Sequence, residues 1–226
     1  MEYNDKKTDK EKLNSKYHTL FKTKIPLKEV KVSKDTYRKV PEHASYRVFI
    51  NSFHEHERGL HEMFNDLWNA GEHDTLELRI NSYGGFVNEG SQFYSVIKNK
   101  FNGRTTTILD TCGYSMGALT FCMGDKRIIT PRSDIMFHDY AGAVWGKGGE
   151  IESQFKHQTE HLREFFADVI LKHKFLSKKE FKHMLIGKDY WMTAPEMCKR
   201  GIATHVLING KEIKANKYLK RLKKGK

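Results

Sequence analysis

Apolar and polar residues alternate over residues 76–80, a period of two that predicts a β-strand. Three threonines and two aliphatic residues predict a second strand over 105–109. The segment between them has the pattern of a helix from about residue 87 to residue 100. An earlier amphipathic, core-packed helix is predicted by apolar residues at helical spacing, namely Leu60, Met63, Phe64, Leu67 and Trp68. Alternating strands and helices predict an α/β fold with a parallel sheet and right-handed crossovers.

Further elements follow the same logic on either side of this region. Residues 46–50 are predicted to form the first strand of the ordered part of the chain. A long helix is predicted from about residue 150 to residue 174. A capping box from Thr193 to Glu196 predicts a short helix that Gly201 ends.

Ser115 lies where the strand over 105–109 gives way to an apolar helix that ends at Gly124. Small residues flank it, so the backbone can turn sharply and expose the hydroxyl oxygen. A serine hydroxyl becomes a strong nucleophile only when a base removes its proton and a third group orients that base. The sequence therefore has to supply a histidine and a carboxylate.

His138 is the candidate base, because it ends a strand-like run over residues 133–138 and precedes a glycine-bearing loop. Asp139 is next to it, but neighbouring side chains on an extended strand point to opposite faces. Asp189 is the better candidate for the orienting carboxylate, because it lies just before the capping box at Thr193. The predicted order along the chain is Ser, His, Asp.

Four spaced motifs together resemble the ClpP family, the proteolytic subunits of Clp-type ATP-dependent proteases. They are Asn81-Ser82-Tyr83-Gly84-Gly85, Ser115-Met116-Gly117-Ala118, the strand that ends at His138, and Asp189 followed by Thr193-Ala194-Pro195-Glu196 and Gly201. The resemblance covers roughly residues 46 to 208. It implies that Ser115 is the nucleophile, His138 the general base and then acid, and Asp189 the residue that orients the imidazole.

The resemblance also assigns the oxyanion hole to the backbone N–H groups of Gly85 and Met116. The residues themselves support this, since glycines let a backbone approach a ligand closely and Met116 follows the nucleophile at a helix N-terminus. Two departures from the family pattern stand beside the site. Tyr83 replaces the usual proline of the Ser-Pro-Gly-Gly turn, and residues 138–140 are His-Asp-Tyr instead of His-Gln-Pro.

The fold that the resemblance implies is the crotonase-like β/α spiral, with the helix over 150–174 as a projecting handle. Residues 141–149 would lie along a bound substrate peptide. The implied assembly is two stacked heptameric rings of this chain, fed with unfolded polypeptides by an AAA+ unfoldase of the Clp type. The proteolytic subunit itself would need no cofactor and no metal, because ATP would be used by the partner ATPase alone.

Charge is distributed unevenly along the 226 residues, which have a net charge of +12. Residues 1–40 hold 12 Lys/Arg and 6 Asp/Glu, and residues 214–226 hold 7 Lys/Arg and no acid. Because the remainder is nearly neutral, the basic character does not indicate a nucleic-acid-binding core. We expect a mobile basic extension over 1–45, a peptidase domain over 46–208 and a basic tail over 209–226. Because like-charged ends gain little from packing, neither residues 1–40 nor residues 214–226 should be needed for the fold or the chemistry of the site.

Three cysteines, Cys112, Cys122 and Cys198, form no CxxC pair, which favours buried thiols in a reducing compartment. The N-terminus has acidic residues and no apolar core typical of a signal peptide, and no segment is apolar enough to span a bilayer. We therefore expect a cytoplasmic protein without membrane contacts. His157 and His161 are one helical turn apart, but no third metal ligand accompanies them.

Other functions fit part of the pattern. Residues 113–117 match the nucleophile elbow of α/β-hydrolases, and an esterase could use Ser115, Asp189 and His205 in that order. Against this, no HGGG-type loop precedes Ser115, and His205 lies in a strand-like run. A non-cleaving scaffold subunit and a viral maturation protease of the same fold remain open alternatives.

Overall fold

The computed structural model describes residues 18–26, 28–33, 36–40, 42–53 and 58–224. The strands are β1 (His18–Ile25), β2 (Lys28–Ser33), β3 (Thr36–Val40), β4 (His43–Ile50), β5 (Thr75–Ser82), β6 (Thr105–Tyr114), β7 (Lys126–Ile129), β8 (Asp134–Phe137), β9 (Tyr190–Thr193), β10 (His205–Ile208) and β11 (Lys211–Lys214). The helices are α1 (Arg58–Trp68), α2 (Val87–Lys100), α3 (Met116–Cys122), α4 (Gly148–Phe166), α5 (Lys178–Met184), α6 (Ala194–Lys199) and α7 (Ala215–Lys224). A π-helical segment, Ala167–Leu171, continues α4.

A nine-stranded sheet organises the fold in the described part of the chain, with its main path in the order β1-β4-β5-β6-β7-β10-β11. The inner strands β4, β5, β6, β7 and β10 run parallel, whereas β1 and β11 are antiparallel at the two edges. β8 leaves this path and pairs with the end of β6, and β9 pairs antiparallel with β8. This mixed α/β architecture confirms the predicted fold class.

The alternation in β5 determines which face of the sheet is buried. Leu76, Leu78 and Ile80 are almost completely buried, while the polar residues between them lie on the other face. Arg79 on that other face forms an ion pair with Asp110, with 2.6 Å between nitrogen and oxygen. The buried face therefore carries the hydrophobic core, against which the helices that lead to the site are packed.

The helices predicted from apolar spacing are present, with one difference in α1. Met63, Phe64 and Leu67 are buried, as the pattern predicts, but Trp68 is 44% exposed. The side chain of Leu60 lies outside the described residues. Trp68 is the last residue of α1, and its ring borders an open groove rather than the core.

The two ends of the chain contain elements that the sequence analysis did not predict. β1 pairs antiparallel with β4 over eight residue pairs, and β2 and β3 form a separate two-stranded sheet. At the other end, β11 extends the main sheet and α7 packs on α6, with Ala215 and Tyr218 buried. Residues 211–224 are thus integrated into the fold, contrary to the expectation of a tail that gains little from packing. Residues 1–17 lie outside the described part.

Candidate active site

Ser115 occupies the sharp turn between β6 and α3, as the sequence predicts. Its backbone angles are φ 53° and ψ −123°, a conformation that costs a non-glycine residue about 1–3 kcal/mol. The Ser115 N–H donates to the carbonyl of Met136 at 3.1 Å, and the Ser115 carbonyl accepts from Leu119 N–H at 3.1 Å. The turn is therefore held from the neighbouring strand β8 and from α3. A strained serine between a strand and a helix is the arrangement that exposes a nucleophile.

Gly84 holds this turn from a second side. Its φ is +104°, and a Cβ atom at this position would lie 2.7 Å from Ser115 Cβ and 2.9 Å from the carbonyl oxygen of Tyr114. The Gly84 N–H donates to Ser82 Oγ at 3.1 Å. The turn after β5 and the nucleophile turn after β6 therefore touch at a point where a side chain has no space.

Gly85 lies next to the nucleophile with its N–H group directed away from Phe53. The two residues form a parallel β-bridge, in which Phe53 N–H donates to the Gly84 carbonyl at 3.1 Å and Phe86 N–H donates to the Phe53 carbonyl at 2.7 Å. In this bridge the N–H of Gly85 itself points to the opposite side. Gly85 lines the same cavity as Ser115 and Met116, so its N–H remains the predicted oxyanion donor.

A cavity of about 120 Å³ brings Ser115 and His138 together. Gly85, Met116 and Asp139 also border it. Most of the remaining wall is apolar and consists of Val87, Leu119, Phe137, Phe166 and Ile170. The cavity therefore combines a nucleophile, an imidazole and a hydrophobic compartment that is suited to an uncharged side chain.

His138 and Asp189 lie on neighbouring antiparallel strand ends. β8 and β9 pair up to Phe137 and Tyr190, and His138 and Asp189 are the next residues at this end of the two strands. Asp189 is exposed and His138 is half-buried. In the described chain, no hydrogen bond joins Ser115 to His138 or His138 to Asp189. Ser115 and His138 share the cavity, Asp189 stays the predicted third member, and catalytic hydrogen bonds often tighten only when substrate binds.

Asp139 borders the cavity as well, but its carboxylate is engaged locally. One of its oxygens accepts from the N–H of Tyr140 at 2.9 Å. The Tyr140 hydroxyl is in turn 2.6 Å from Thr159 Oγ1 on α4, which fastens the segment after His138 to that helix. Asp189 remains the predicted partner of His138.

His205 is placed away from Ser115. It lies on β10, pairs with Ile128 of β7, and its Nδ1 is 2.9 Å from Thr204 Oγ1. It is not among the residues that line the cavity. The structure therefore does not assemble the Ser115, Asp189 and His205 set that an α/β-hydrolase would need.

The cysteines do not compete with Ser115 as nucleophiles. Cys112, Cys122 and Cys198 are all buried and unpaired. Burial raises the pKa of the Cys112 thiol, and it raises the pKa of Cys122 to about 12. Because the thiolate is the reactive form, both thiols are protonated and inert at neutral pH.

Among the described residues, no group of three or more His, Cys, Asp or Glu side chains is placed to hold a metal ion. The His157 and His161 rings stack on α4 with 6.2 Å between their centroids. In the same part of the chain, none of the helices has the length and apolarity that crossing a bilayer would require.

Comparisons with known proteins show the family of the chain. The model of the Clp protease family matches residues 56–210, more than half of the chain. The chain belongs to the Clp protease family. The ATP-dependent Clp protease proteolytic subunit of Deinococcus radiodurans is 28% identical over 139 residues, which cover 61% of this chain and 67% of the relative. Proteolytic subunit 2 of Thermobifida fusca is 28% identical over 140 residues, 61% of this chain and 68% of the relative. The subunit of Bacteroides thetaiotaomicron is 29% identical over 137 residues, 59% of this chain and 60% of the relative.

The Clp protease family is a family of peptidases, and the protein belongs to it. The matched range contains all five residues predicted for the site, whereas β1 to β4, β11 and α7 lie outside it. Sequence reasoning missed the apolar wall of the cavity, which is formed by α2, α3, β8 and the end of α4 together. In the sequence, each residue of this wall is indistinguishable from an ordinary apolar core residue.

Proposed function

We propose that this chain is a serine endopeptidase subunit that cleaves unfolded polypeptides through an acyl-enzyme. The observation that carries the proposal is the strained turn at Ser115, which opens into a cavity shared with His138. A positive φ at a serine between a strand and a helix has no structural benefit of its own. Strain of this kind is kept where it exposes a reactive group.

The catalytic sequence follows from the roles of these residues. His138 takes the proton of Ser115 as its Oγ attacks the scissile carbonyl carbon, and Asp189 stabilises the resulting imidazolium. The negative charge that develops on the carbonyl oxygen is received by the N–H groups of Gly85 and Met116. His138 then protonates the leaving amine, and water hydrolyses the ester bond to Ser115.

The apolar wall of the cavity would select the residue on the amino side of the scissile bond. Leu119, Phe137 and Ile170 line it, and its volume is about 120 Å³. A space of this size accommodates an aliphatic side chain such as leucine. Charged side chains would be disfavoured there, because burial of an unpaired charge is costly.

Assembly and partners are part of the proposal. The relatives are named as proteolytic subunits of ATP-dependent proteases. By analogy, we propose that this chain forms two stacked heptameric rings and receives unfolded chains from a hexameric AAA+ ATPase. ATP would then be hydrolysed by the partner, and the peptidase subunit would carry neither a cofactor nor a metal.

Covalent labelling tests the proposal directly. A fluorophosphonate probe should modify the full-length protein at one serine, and mass spectrometry should locate the adduct on Ser115. Ser115→Ala should remove the labelling, whereas Ser133→Ala, which changes a buried structural serine, provides the matched control. Size measurement on the labelled sample reports the assembly state at the same time. An adduct on another serine, or none on a folded protein, would refute the assignment.

A further inference from the structure

An aromatic surface adjoins the nucleophile on the side away from the apolar cavity. Tyr83 and Tyr114 have ring centroids 5.5 Å apart, and Tyr114 makes an edge-to-face contact with Trp191 at 5.0 Å. The strand register puts Tyr114 beside Met136 and Met136 beside Trp191. We call these four residues, Tyr83, Tyr114, Met136 and Trp191, the aromatic row. It crosses the turn after β5 and the strands β6, β8 and β9.

The aromatic row is unusually exposed for side chains of this kind. Trp191 is 56% exposed and Tyr83 is 79% exposed. Tyr114, in the middle, is fixed by its hydroxyl, which donates to both carboxylate oxygens of Asp134 at 3.1 and 3.0 Å. Burial, followed by this hydrogen bond, raises the pKa of Tyr114 to about 12. A rigid aromatic platform that stays open to solvent is typical of a binding surface.

The position of the row relative to the catalytic residues indicates which part of a substrate it meets. Met136 of β8 and Trp191 of β9 are paired in register near the ends of the two strands, where His138 directly follows β8 and Asp189 directly precedes β9. Phe137, which lines the apolar cavity, lies on the face of β8 opposite to Met136. The row and the apolar wall therefore lie on opposite faces of β8, and His138, which also borders the cavity, comes at the end of that strand.

We propose that the aromatic row is the binding surface for the two residues on the carboxyl side of the scissile bond, and that it selects large apolar or aromatic side chains there. This inference rests on the proposed peptidase function. His138 protonates the leaving amine, so the leaving half of the substrate must pass close to His138. The row reaches this point through Met136, two residues before His138, and Trp191, which pairs with Met136.

Two carboxylates next to the row should strengthen its preference for apolar over acidic substrate residues. Asp134 lies on the same face of β8 as Met136, Asp189 lies two residues before Trp191, and in the described chain neither carboxylate is paired with a cation. Acidic substrate residues would be repelled by these carboxylates, and the repulsion would weaken with added salt. The expected order of preference is aromatic, then alanine, then aspartate.

Internally quenched peptides test the proposal. All would carry leucine before the scissile bond and would differ only in the two residues after it, as Phe-Phe, Ala-Ala or Asp-Asp, with the cleavage point verified by mass spectrometry. The wild-type protein should cleave the Phe-Phe peptide with a kcat/KM about tenfold or more above that of the Ala-Ala peptide. In Trp191→Ala and Tyr83→Ala this ratio should fall severalfold towards one. Because both peptides meet the same enzyme, any general loss of activity cancels.

Trp68→Ala is the matched control, because it removes an exposed tryptophan from α1, outside the row. It should keep the wild-type ratio. A wild-type ratio near one, or a ratio unchanged in both row variants, would overturn the inference while leaving the peptidase function intact. If no peptide is cleaved and Ser115 is not labelled, the peptidase function itself fails. Fluorescence anisotropy of labelled Phe-Phe and Ala-Ala peptides on Ser115→Ala protein then decides whether the row prefers aromatic residues.

Discussion

Gly84 and Ser115 are in contact, although Gly84 lies in the turn after β5 and Ser115 in the turn after β6. A Cβ atom on Gly84 would lie 2.7 Å from Ser115 Cβ. The loop that carries the proposed oxyanion donor Gly85 is thereby fixed against the nucleophile. Accurate placement of donors relative to a nucleophile is what makes an oxyanion hole effective. The contact is possible only because Gly84 has no side chain.

Gly84→Ala should lower both stability and Ser115 reactivity, since it adds a clash to an unfavourable φ of +104°. Gly103→Ala is the control, because Gly103 also has a positive φ, +77°, but a Cβ atom there would meet nothing within 4 Å. The control should lose only the backbone contribution of about 1–2 kcal/mol. Denaturant unfolding and the rate of fluorophosphonate labelling measure the two effects. Equal labelling rates in both variants would contradict a role for the contact.

His138→Ala and Asp189→Asn should each reduce hydrolysis of a short peptide by orders of magnitude, about 10⁴-fold for the carboxylate change in the best-studied serine protease. His205→Ala should remain near the wild-type rate, because His205 lies on β10 outside the cavity. Steady-state kcat/KM values measure the comparison. Asp139→Asn belongs in the same series, and a larger loss there than in Asp189→Asn would reassign the orienting carboxylate.

Tyr218→Ala should destabilise the protein by about 3 kcal/mol, since it empties an aromatic position of the core. Lys217→Ala, one position earlier on the exposed face of α7, should change stability by less than about 0.5 kcal/mol. Chemical denaturation of the two variants distinguishes a structural α7 from a dispensable one. Equal unfolding free energies for the two variants would indicate that the C-terminal residues are a dispensable tail.

Lowering the pH should weaken the ion pair between Glu180 of α5 and Arg200, which directly follows α6. The hydrogen bond from Arg200 and the capping bonds from Ser177 lower the pKa of Glu180 to about 2, from an ordinary value of 4.5. The stabilisation is therefore complete above about pH 4.5 and is lost as the pH falls towards 2. The difference in unfolding free energy between wild type and Glu180→Gln should shrink over this window. If the difference in unfolding free energy between wild type and Glu180→Gln stayed constant from pH 7 to pH 2, the prediction would be wrong.

Enclosure of the sites in a chamber would restrict unassisted cleavage to small substrates. The purified subunit should hydrolyse short peptides and a permanently unfolded protein, but leave a stable folded protein intact. Gel analysis over several hours, with Ser115→Ala protein as the control for contaminating proteases, tests this. Rapid digestion of the folded protein without ATP or partner would rule out a gated chamber.

The parts of the molecule that the sequence predicted are those with a strong local signal. The capping box at Thr193 is present, with the Thr193 N–H donating to Glu196 Oε2 at 2.9 Å, and the turn at Ser115 follows from the small residues around it. Ala215, Tyr218, Leu219 and Leu222 also have helical spacing in α7, but the many lysines between them hid the pattern. β1 was missed for a different reason, because its polar sequence depends on pairing with β4 for stability.

The aromatic row shows what local patterns do not contain. Tyr83, Tyr114, Met136 and Trp191 come from four separate segments, and only the register of β5, β6, β8 and β9 makes them neighbours. The same holds for the apolar wall of the cavity, to which α3 and the end of α4 contribute from different parts of the chain. Such surfaces are properties of the folded sheet rather than of any one motif.

The conformation of Ser115 is maintained by groups far away in the sequence, including the carbonyl of Met136 and the backbone of Gly84. A chain still emerging during synthesis has the serine but not the contacts that hold it at φ 53°. Its hydroxyl is then as unreactive as that of any other serine in an extended polypeptide. In the proposed peptidase, the nucleophile therefore reaches its reactive conformation only after β8 has docked beside β6.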